Sequence, residues 1–588
     1  MKSLPKVDVL IVGGGWTGLL MAKELGARTH LSVVVLERGG KARTTGEYLE
    51  TMDEIDYVAR LKMMQDCSQE TVTVRHTSAD KARPVRQLVS FLPGTGVGGS
   101  GEHWGGSYPR YQADTFDLYT QTVARYGVKK LPENHAVKDF GFTWADIEPY
   151  LASTEKLVGV SGKAGNIMGR KIEGGNIFEG PRSTEYPMPP SKKAYVCSLF
   201  EKAAKDLGYH PYPAAAAINT QIFKNVDGIV RSTCTNCGYC GFYGCMAGAK
   251  SHPSNILIPV IRKQNTVSIR TGATARRLLH DGAGKNAKVT GATYIDSTGE
   301  EVFQPADLVF LATFTFNNTR MLLLSGLGTP YDPKTGKDGI GSNLTHQIQG
   351  GGVSAFFSKP LNRFIGGPTL GMRIGDFEGD VFDHSNLPFI RGGTLSAGAG
   401  GAQPVAVFGT TFPKVKARWG SEWKKSAIES YDYIGGVGAT GEHIGYKTNY
   451  MDLDPVYRDQ FGDPLLRMTM DWNDNERHMM AFMAPKAAEL ARAMGATEVV
   501  MPAPVGHYTT TRYQTTHLQG GTIMSPSPET GVLNHYSQHW DYSNLFVLGA
   551  SAFPQTGSAN PTSTVIAVTA RTADAVIDKY LKKPGALV

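Results

Sequence analysis

The first forty residues alternate between apolar runs and glycines in a way that predicts a strand, a helix and a second strand. VDVLIV at residues 7–12 has the continuous apolar character of a buried strand. The turn GGGWTG follows it, and a helical pattern then extends to about Gly26. LSVVVLE predicts the next strand and ends at Glu37. We therefore expect a βα unit of α/β type at the N-terminus.

Similar patterns return in the middle and at the end of the chain. PADLVFLAT at 305–313 predicts a strand, and NNTRMLLLSG after it predicts a helix. NLFVLGAS at 544–551 predicts a last strand, and the stretch 560–581 predicts a long closing helix that begins at a proline. Between about 350 and 505 the chain is instead rich in glycine, aromatic residues and strand patterns, which indicates an inserted second domain.

These patterns predict two intertwined domains. The first contains the nucleotide-type units and the second the inserted material. We place the first domain at 1–110, 215–345 and 505–588, including a cysteine loop at 231–250, and the second at 111–214 and 346–504.

Composition excludes some classes of protein. The chain has 588 residues, of which 41% are hydrophobic and 19% charged, so it can bury a large core. Its net charge of +7 is small for this length and its cations are scattered, which disfavours a nucleic-acid partner. No stretch has eighteen consecutive apolar residues, so we expect no transmembrane segment. The N-terminus superficially resembles a signal peptide but is better explained as the first strand, so export would require another carrier.

The turn after the first strand has the glycine spacing of a dinucleotide site. Gly13, Gly15 and Gly18 form GxGxxG, and Glu37 follows nineteen residues after Gly18. The glycines allow a tight turn, a close approach to pyrophosphate and close helix packing, and the helix N-terminus offers amide donors to phosphate. Glu37 can accept hydrogen bonds from a ribose. This pattern predicts dinucleotide binding without distinguishing FAD from NAD.

Four further segments resemble those of one family. GTGVGGSGEHWGGSYPR at 94–110 is similar to its flavin-covering segment, QTTHLQGGTIM at 514–524 to its catalytic-histidine segment, and GSANPTSTVIAVTARTAD at 557–574 to its closing flavin helix. PADLVFLAT and the helix pattern after it also match. In these segments the chain resembles the glucose-methanol-choline (GMC) oxidoreductases. The resemblance implies a GMC-type, FAD-binding, Rossmann-like α/β domain with an inserted α+β substrate-binding domain built on an antiparallel sheet.

Within that family the chain resembles the flavoprotein subunits of bacterial membrane-bound gluconate 2-dehydrogenases, in segments such as FLPGTGVGG, MDLDPVYRD and the tail YLKKPGALV. The resemblance implies oxidation of D-gluconate to 2-keto-D-gluconate, with electrons passing to a cytochrome and quinone. It also implies a small partner subunit with an export signal, a membrane-anchored multihaem cytochrome c subunit, and a position on the periplasmic side of the inner membrane. Sister enzymes oxidise fructose, sorbitol, glucose or 2-ketogluconate.

The resemblance also implies site residues. His517 would be the base that takes the hydroxyl proton, a task that suits an imidazole. Asn560 would hold the substrate hydroxyl, although it could also be the N-cap of the closing helix before Pro561. His103 occupies a position at which some relatives attach flavin covalently. The full cofactor set is Gly13, Gly15, Gly18, Glu37, Gly96, Gly98, Gly99, His103, Trp104, Ala275, Gly549, Ala550, Pro561 and Thr562.

Four of the six cysteines lie in CTNCGYCGFYGC at 234–245. Near neighbours rarely satisfy disulfide geometry, and structural zinc usually takes two separated pairs, so iron–sulfur ligation is the favoured alternative of the three. The family resemblance implies a [3Fe–4S] cluster held by three cysteines. We expect Cys234, Cys240 and Cys245 as its ligands, with Cys237 as a spare thiol or the fourth ligand of a [4Fe–4S] form.

The resulting prediction is an FAD-dependent sugar-acid dehydrogenase subunit. Two alternatives remain at this stage: an oxygen-reducing carbohydrate oxidase, which the EHW and NPT segments favour, and a non-catalytic flavin-binding scaffold in an electron-transfer assembly. No Arg or Lys can be assigned to a substrate carboxylate from the sequence. Arg512 lies near His517 in the chain, but its direction cannot be deduced.

Overall fold

The computed structural model describes most of the chain, and Arg512 and Val588 lie outside the described residues. The described residues are 1–40, 66–86, 88, 91–284, 287–398, 419–511 and 515–587.

The strands form two large sheets and several small ones. In chain order they are β1 (Lys2–Ser3), β2 (Val7–Val12), β3 (Val33–Leu36), β4 (Val72–Arg75), β5 (Arg83–Pro84), β6 (Asn166–Ile167), β7 (Arg170–Lys171), β8 (Pro211–Pro213), β9 (Phe223–Lys224), β10 (Val230–Arg231), β11 (Val267–Arg270), β12 (Thr274–His280), β13 (Val289–Ile295), β14 (Glu301–Leu311), β15 (Thr345–His346), β16 (Ile348–Gln349), β17 (Val353–Phe356), β18 (Met372–Ile374), β19 (Gly393–Ala397), β20 (Ile434–Gly441), β21 (Tyr450–Arg458), β22 (Pro464–Thr469), β23 (Glu498–Val500), β24 (Leu518–Gln519) and β25 (Leu545–Val547).

The α-helices of the described ranges are α1 (Trp16–Arg28), α2 (Leu118–Tyr126), α3 (Trp144–Val158), α4 (Tyr195–Asp206), α5 (Pro253–Ile256), α6 (Ile258–Ile261), α7 (Thr315–Ser325), α8 (Ser421–Ser430), α9 (Asp474–Ala493) and α10 (Thr562–Ala575). Within these ranges, none of the helices combines the length and the apolar character needed to cross a bilayer.

The first large sheet contains the predicted nucleotide-type units. Its order is β11-β3-β2-β14-β13-β12, with β1 and β25 also paired to β14. The strands β11, β3, β2, β14 and β25 are mutually parallel, whereas β13 pairs antiparallel with β14 and β12 pairs antiparallel with β13. The runs in β2 and β3 are almost fully buried, as strands covered on both faces require. The predicted strands at the N-terminus, in the middle and near the end of the chain therefore join one sheet.

The closing helix is present, but it begins differently from the prediction. Pro561 occupies the N-cap position and α10 starts at Thr562, with no side-chain cap. The alternative in which Asn560 is the N-cap was therefore wrong, and its amide is free for another role. The helix continues as a π-helical turn at Val576–Tyr580 and packs against α3 and α1.

The second large sheet is antiparallel. Its order is β23-β17-β20-β19-β18-β8, with β16 also paired to β20. The apolar side chains of its central strands enter a large core with residues of α4 and α9. The expected fold, a Rossmann-like α/β sheet combined with an antiparallel sheet, is confirmed. The other face of β18 and β19 carries polar residues.

A smaller sheet crosses the predicted domain boundary. Its order is β21-β22-β4-β5, so strands within 72–84 pair with strands within 450–469. The division of the chain at 110, 214, 345 and 504 stays a proposal, in which this small sheet joins the two predicted domains.

Candidate active site

The turn between β2 and α1 forms a cradle with an open side. Gly13 has a φ of +107°, and a Cβ there would lie 2.5 Å from the carbonyl oxygen of Ala312. A Cβ on Gly18 would lie 2.0 Å from the carbonyl oxygen of Gly13, so strand and helix can approach only without side chains. A Cβ on Gly15 would meet nothing within 4 Å. The turn is thus tight where the backbone packs and open at the helix N-terminus, where a phosphate group fits.

Glu37 ties this cradle to the second glycine loop. Its carboxylate is buried and accepts N–H groups from Gly14 at 2.9 Å, Gly39 at 2.8 Å and Gly96 at 3.1 Å. These three amide donors hold the buried side chain in one position. Glu37 follows β3 directly, so it lies at the carboxyl end of the parallel strands, where doubly wound folds bind nucleotides.

The segment 94–110 covers the cradle. The N–H of Gly98 donates to the carbonyl of Gly14 at 2.7 Å, and a short 3-10 turn follows at Gly99–Gly101. The indole N–H of Trp104 donates to the carbonyl of Ser251 at 2.7 Å, and its ring meets the ring of Trp16 edge to face at 5.5 Å. This segment therefore forms a fixed wall opposite the β2–α1 turn.

A cavity of about 490 Å³ lies between these elements. The Nε1 atom of Trp16, which lines it, is buried and has no hydrogen-bond partner in the described part of the chain. Together with the cradle and Glu37, this orphaned donor fits a dinucleotide. Three predicted glycines, Gly18, Gly96 and Gly98, are not among the residues that line the cavity. The predicted residues that line it are Gly13, Gly15, Glu37, Gly99, His103, Trp104, Ala275, His517, Gly549, Ala550, Asn560, Pro561 and Thr562.

His517 and Asn560 meet at the edge of this cavity. They are 43 residues apart in the chain, and Nδ2 of Asn560 lies 3.0 Å from Nε2 of His517. His517 precedes the short strand β24, and Asn560 lies at the entrance to α10. The structure thus brings together the two residues that the sequence predicted as a pair, on the surface that also carries the cradle.

Gln347 determines which nitrogen of His517 carries the proton. Its amide nitrogen donates to the carbonyls of Gly557 at 2.7 Å and Ala559 at 3.2 Å, so its oxygen must face His517. That oxygen lies 2.5 Å from Nδ1 of His517 and can only accept, so Nδ1 bears the hydrogen. Nε2 then presents a lone pair toward the cavity. A base of this kind is ready to accept a proton.

The surroundings keep the imidazole of His517 neutral. Burial lowers the pKa of His517 to about 3, and Coulomb interactions with His346 and with the Arg373 guanidinium act in the same direction. The ring is therefore unprotonated over the whole neutral range.

Two residues that the sequence did not indicate complete the cluster. Ser107 donates to Oδ1 of Asn560 at 2.9 Å, and Nη2 of Arg373 donates to Ser107 Oγ at 3.0 Å and to Asn560 Oδ1 at 3.3 Å. Both bonds to Oδ1 orient the amide so that its N–H group points at His517. The alternation in GMRIGD, with Arg373 between buried Met372 and Ile374, was the available signal for a polar residue on one face of a strand.

The cysteine loop lies directly behind the wall of the cavity. The N–H of Phe242 donates to the carbonyl of His103 at 2.8 Å, and Gly241 and Phe242 line the cavity. The ammonium of Lys250 donates to the carbonyls of Trp104, Cys240 and Tyr243. The loop and the segment 94–110 are therefore held as one unit.

The four thiols of this loop are free and are close neighbours. Burial raises the pKa of Cys240 to about 12, Lys250 opposes the rise, and the other three cysteines add to it. Backbone N–H groups of Asn236 and Lys250 donate to the sulfurs of Cys234 and Cys245 at 3.3 and 3.4 Å. Thiols with amide donors suit an iron–sulfur cluster. Even so, no three His, Cys, Asp or Glu side chains of the described residues are arranged as a metal-binding group.

Comparison with known proteins identifies the family of the chain. Models of the GMC oxidoreductase family match residues 189–349 and 445–569. The gluconate 2-dehydrogenase flavoprotein of Pantoea cypripedii is 41% identical, over 100% of this chain and 96% of the relative. The fructose dehydrogenase large subunit of Gluconobacter japonicus is 24% identical over 97% of this chain and 98% of its own.

Solved structures share the fold. Formate oxidase of Aspergillus oryzae RIB40 superimposes with a TM-score of 0.62 at 15% identity, covering 99% of both chains. Pyridoxine 4-oxidase from Mesorbium loti gives a TM-score of 0.58 at 16% identity, covering 97% of this chain and 98% of that one. Since the family models match two long segments and a relative is 41% identical over the whole chain, the chain belongs to the GMC oxidoreductase family.

Proposed function

We propose that this protein is an FAD-dependent dehydrogenase that oxidises the secondary alcohol at carbon two of D-gluconate to give 2-keto-D-gluconate. The observation that carries the proposal is the position of His517: its unprotonated Nε2 faces the cavity that the dinucleotide cradle opens into, 3.0 Å from the amide of Asn560. Bound FAD supplies the acceptor for the hydride that leaves the carbon.

The residues of this chain handle the proton. The substrate hydroxyl takes the place of the Asn560 amide at Nε2 of His517 and donates its hydrogen there, while Nδ2 of Asn560 donates to the hydroxyl oxygen. Gln347 holds Nδ1–H throughout, so the ring accepts the proton at Nε2. Asn560 stabilises the negative charge that develops on the oxygen, as a preorganised donor does. An amide cannot accept the proton itself, so His517 is the base.

The cradle residues would hold FAD. The α1 N-terminus and the open side of Gly15 suit its pyrophosphate, and Glu37 suits a ribose. His103 is buried and lines the cavity, which supports the proposal that it joins the flavin covalently.

The identity of the substrate rests on the relative from Pantoea cypripedii, which is 41% identical along the whole chain. The related fructose dehydrogenase large subunit makes another sugar or polyol the alternative. An oxygen-reducing oxidase is the further alternative, and steady peroxide formation would distinguish it from a dehydrogenase.

We further propose that electrons leave through the cysteine loop to a partner. Cys234, Cys240 and Cys245 would hold a [3Fe–4S] cluster, and the location of their loop against the cavity wall supports this role. The partners would be a small subunit with an export signal and a membrane-anchored multihaem cytochrome c on the periplasmic side of the inner membrane. The relative from Gluconobacter japonicus supports an assembly with other subunits, since its name makes it the large subunit of a fructose dehydrogenase.

The test is anaerobic reduction of the purified FAD-loaded protein. We expect D-gluconate to bleach the flavin absorbance, 2-ketogluconate to form, and a dye to accept the electrons, with no steady production of peroxide in air. His517→Ala should retain FAD and lose reduction by gluconate. The matched control is His539→Ala, because His539 is a buried histidine outside the cavity lining. This variant should retain reduction by gluconate. Failure of every sugar and sugar acid to reduce the flavin would refute the proposal, and steady peroxide formation would favour the oxidase.

A further inference from the structure

Arg373 projects from the polar face of the antiparallel sheet toward the catalytic pair. Met372 and Ile374, on either side of it in β18, enter the apolar core with α4 and α9, so Arg373 lies on the opposite face. Tyr212 and Ser396 are its direct partners on the neighbouring strands and share that face. The sheet thus presents a cation among polar groups on the side where β18 approaches Ser107 and Asn560.

The guanidinium of Arg373 is linked to His517 through a single side chain, that of Asn560. Its Nη2 contacts Oδ1 of Asn560, and the amide nitrogen of the same side chain contacts Nε2 of His517. In a 2-hydroxy acid the carboxylate is bonded to the carbon that carries the reacting hydroxyl. A substrate hydroxyl at His517 therefore places the carboxylate in the immediate surroundings of this pair, within reach of a long cationic side chain.

Arg373 contacts two cavity-lining residues, Ser107 and Asn560, and differs in its charge balance from the arginines that line the cavity themselves. Arg38, Arg276 and Arg320 line the cavity, and each is already ion-paired to a carboxylate; their partners are Glu70, Asp463, and both Glu70 and Asp459, respectively. Arg373 makes no ion pair with any described residue, and its hydrogen bonds to Ser107 and Asn560 both come from Nη2.

The acid on the same face of the sheet, Glu378, makes no ion pair with Arg373. Glu378 lies on the same side of the sheet, but its oxygens accept from Gln112, Tyr212 and Thr394. Arg373 is only half-buried, so its remaining N–H groups are open to a ligand. A half-buried guanidinium that lacks a counter-charge forms strong, charge-assisted hydrogen bonds with an entering carboxylate.

We propose that Arg373 is the anchor for the substrate carboxylate, so that the site selects 2-hydroxy acids of the aldonate class over neutral polyols. This inference rests on the proposed function and adds the residue that makes it specific. Ser107 holds the guanidinium of Arg373 in place. The hydrogen bond from Nη2 to Asn560 fixes the distance between the guanidinium and the reacting hydroxyl, which Asn560 also contacts.

The test compares an anion with its neutral counterpart. D-Gluconate and D-gluconamide share every hydroxyl, and only the first carries a charge. Arg373→Gln should lower kcat/KM for gluconate by roughly 10- to 100-fold more than for gluconamide, because it removes a charge-assisted contact. Arg373→Lys should recover part of the difference. Arg467→Gln removes the same charge from a distant strand, β22, and should leave the ratio unchanged.

Two measurements keep the outcomes separate. FAD content and melting temperature establish that each variant is folded. Thermal-shift titration with gluconate and with gluconamide measures binding without turnover. Gluconate binding that needs Arg373, in an enzyme that does not oxidise it, would support the anchor and refute the proposed function. Gluconate turnover with an equal loss on both substrates in Arg373→Gln would overturn the anchor and leave the function standing, since Arg373 would then only orient Asn560.

Discussion

The side-chain oxygen of Gln347 lies 2.5 Å from Nδ1 of His517, and two backbone carbonyls fix the direction of that amide. The tautomer of the base is therefore determined by a residue that does not line the cavity. Imidazole alone would divide its proton between two nitrogens. Here the orientation of one amide decides that Nε2 is the acceptor.

Gln347→Leu should lower kcat by roughly 100-fold with a small change in KM, because the ring loses its fixed tautomer and orientation. Gln555→Leu is the control: Gln555 is also buried and donates to two backbone carbonyls, those of Thr115 and Lys138, but does not touch His517. Equal losses of activity per folded FAD-containing protein in the two variants would contradict the assigned role.

Gln347→Glu should give a different signature in the pH profile. A carboxylate beside Nδ1–H favours the imidazolium and so raises the pKa of His517 from its value of about 3. Activity needs the neutral ring, so the wild type should lose none through His517 protonation between pH 5 and pH 8. The acidic limb of kcat/KM should move to higher pH in Gln347→Glu. A limb at the same pH in both proteins would argue against the contact.

Asn560→Asp should lower kcat by about 100- to 1000-fold, since the new carboxylate cannot donate to the developing alkoxide and pairs with Arg373 instead. Stopped-flow reduction of the flavin measures this step directly. Asn534→Asp is the matched control, because Asn534 is buried and donates to Gln538 and Leu587 away from the cavity. A flavin reduction rate in Asn560→Asp close to that of the wild type would exclude Asn560 from the reaction.

This cluster shows which site residues can be predicted from the sequence and which cannot. His517, Asn560 and the glycine cradle could be predicted because their signals are local: a strand, a turn, a spacing and characteristic flanking residues. Gln347 and Arg373 could not, because each acts through partners 170 and 187 residues away. The N-cap at Asn560 was wrong for a related reason, since Pro561 took the N-cap position while the tertiary contact with His517 took the amide.

The cysteine loop predicts bound iron and sulfide. Anaerobically purified protein should contain about three irons per chain. Cys234→Ser, Cys240→Ser and Cys245→Ser should each remove them, whereas Cys237→Ser should retain them. Cys197→Ser changes a buried cysteine outside the loop and serves as the control. Loss of iron in Cys237→Ser alone would reverse the ligand assignment, and wild-type protein without iron would refute the cluster.

We expect the flavin to be bound covalently to His103. After acid precipitation of the wild type, yellow colour should remain in the pellet, and the pellet of His103→Ala should be colourless with its FAD in the supernatant. Trp104→Phe, which changes the neighbouring ring and removes the donor to Ser251, should keep the covalent bond. Free FAD in the wild-type supernatant would show that the flavin is held by the cradle alone.

Glu476 should make the stability of the protein depend on pH. It is fully buried in the first turn of α9, and its carboxylate accepts from the Tyr446 hydroxyl and from Asn475, with no cation paired to it among the described residues. Burial raises the pKa of Glu476 to about 7. The folded protein therefore binds this proton more tightly than the unfolded chain does. The resulting stabilisation is complete below about pH 4.5 and is lost as pH rises to about 7.

Glu476→Gln removes this titration. Relative to the wild type, the variant should gain on the order of 3 kcal/mol in the free energy of unfolding between pH 4.5 and pH 8. Denaturant titration at the two pH values measures the change. Glu489→Gln, at an exposed position on the same helix, is the matched control. The free energies of unfolding of Glu476→Gln and the wild type could instead differ by a constant amount across this range. The carboxylate would then be ionised in the folded protein, because the contacts from Tyr446 and Asn475 outweigh its desolvation.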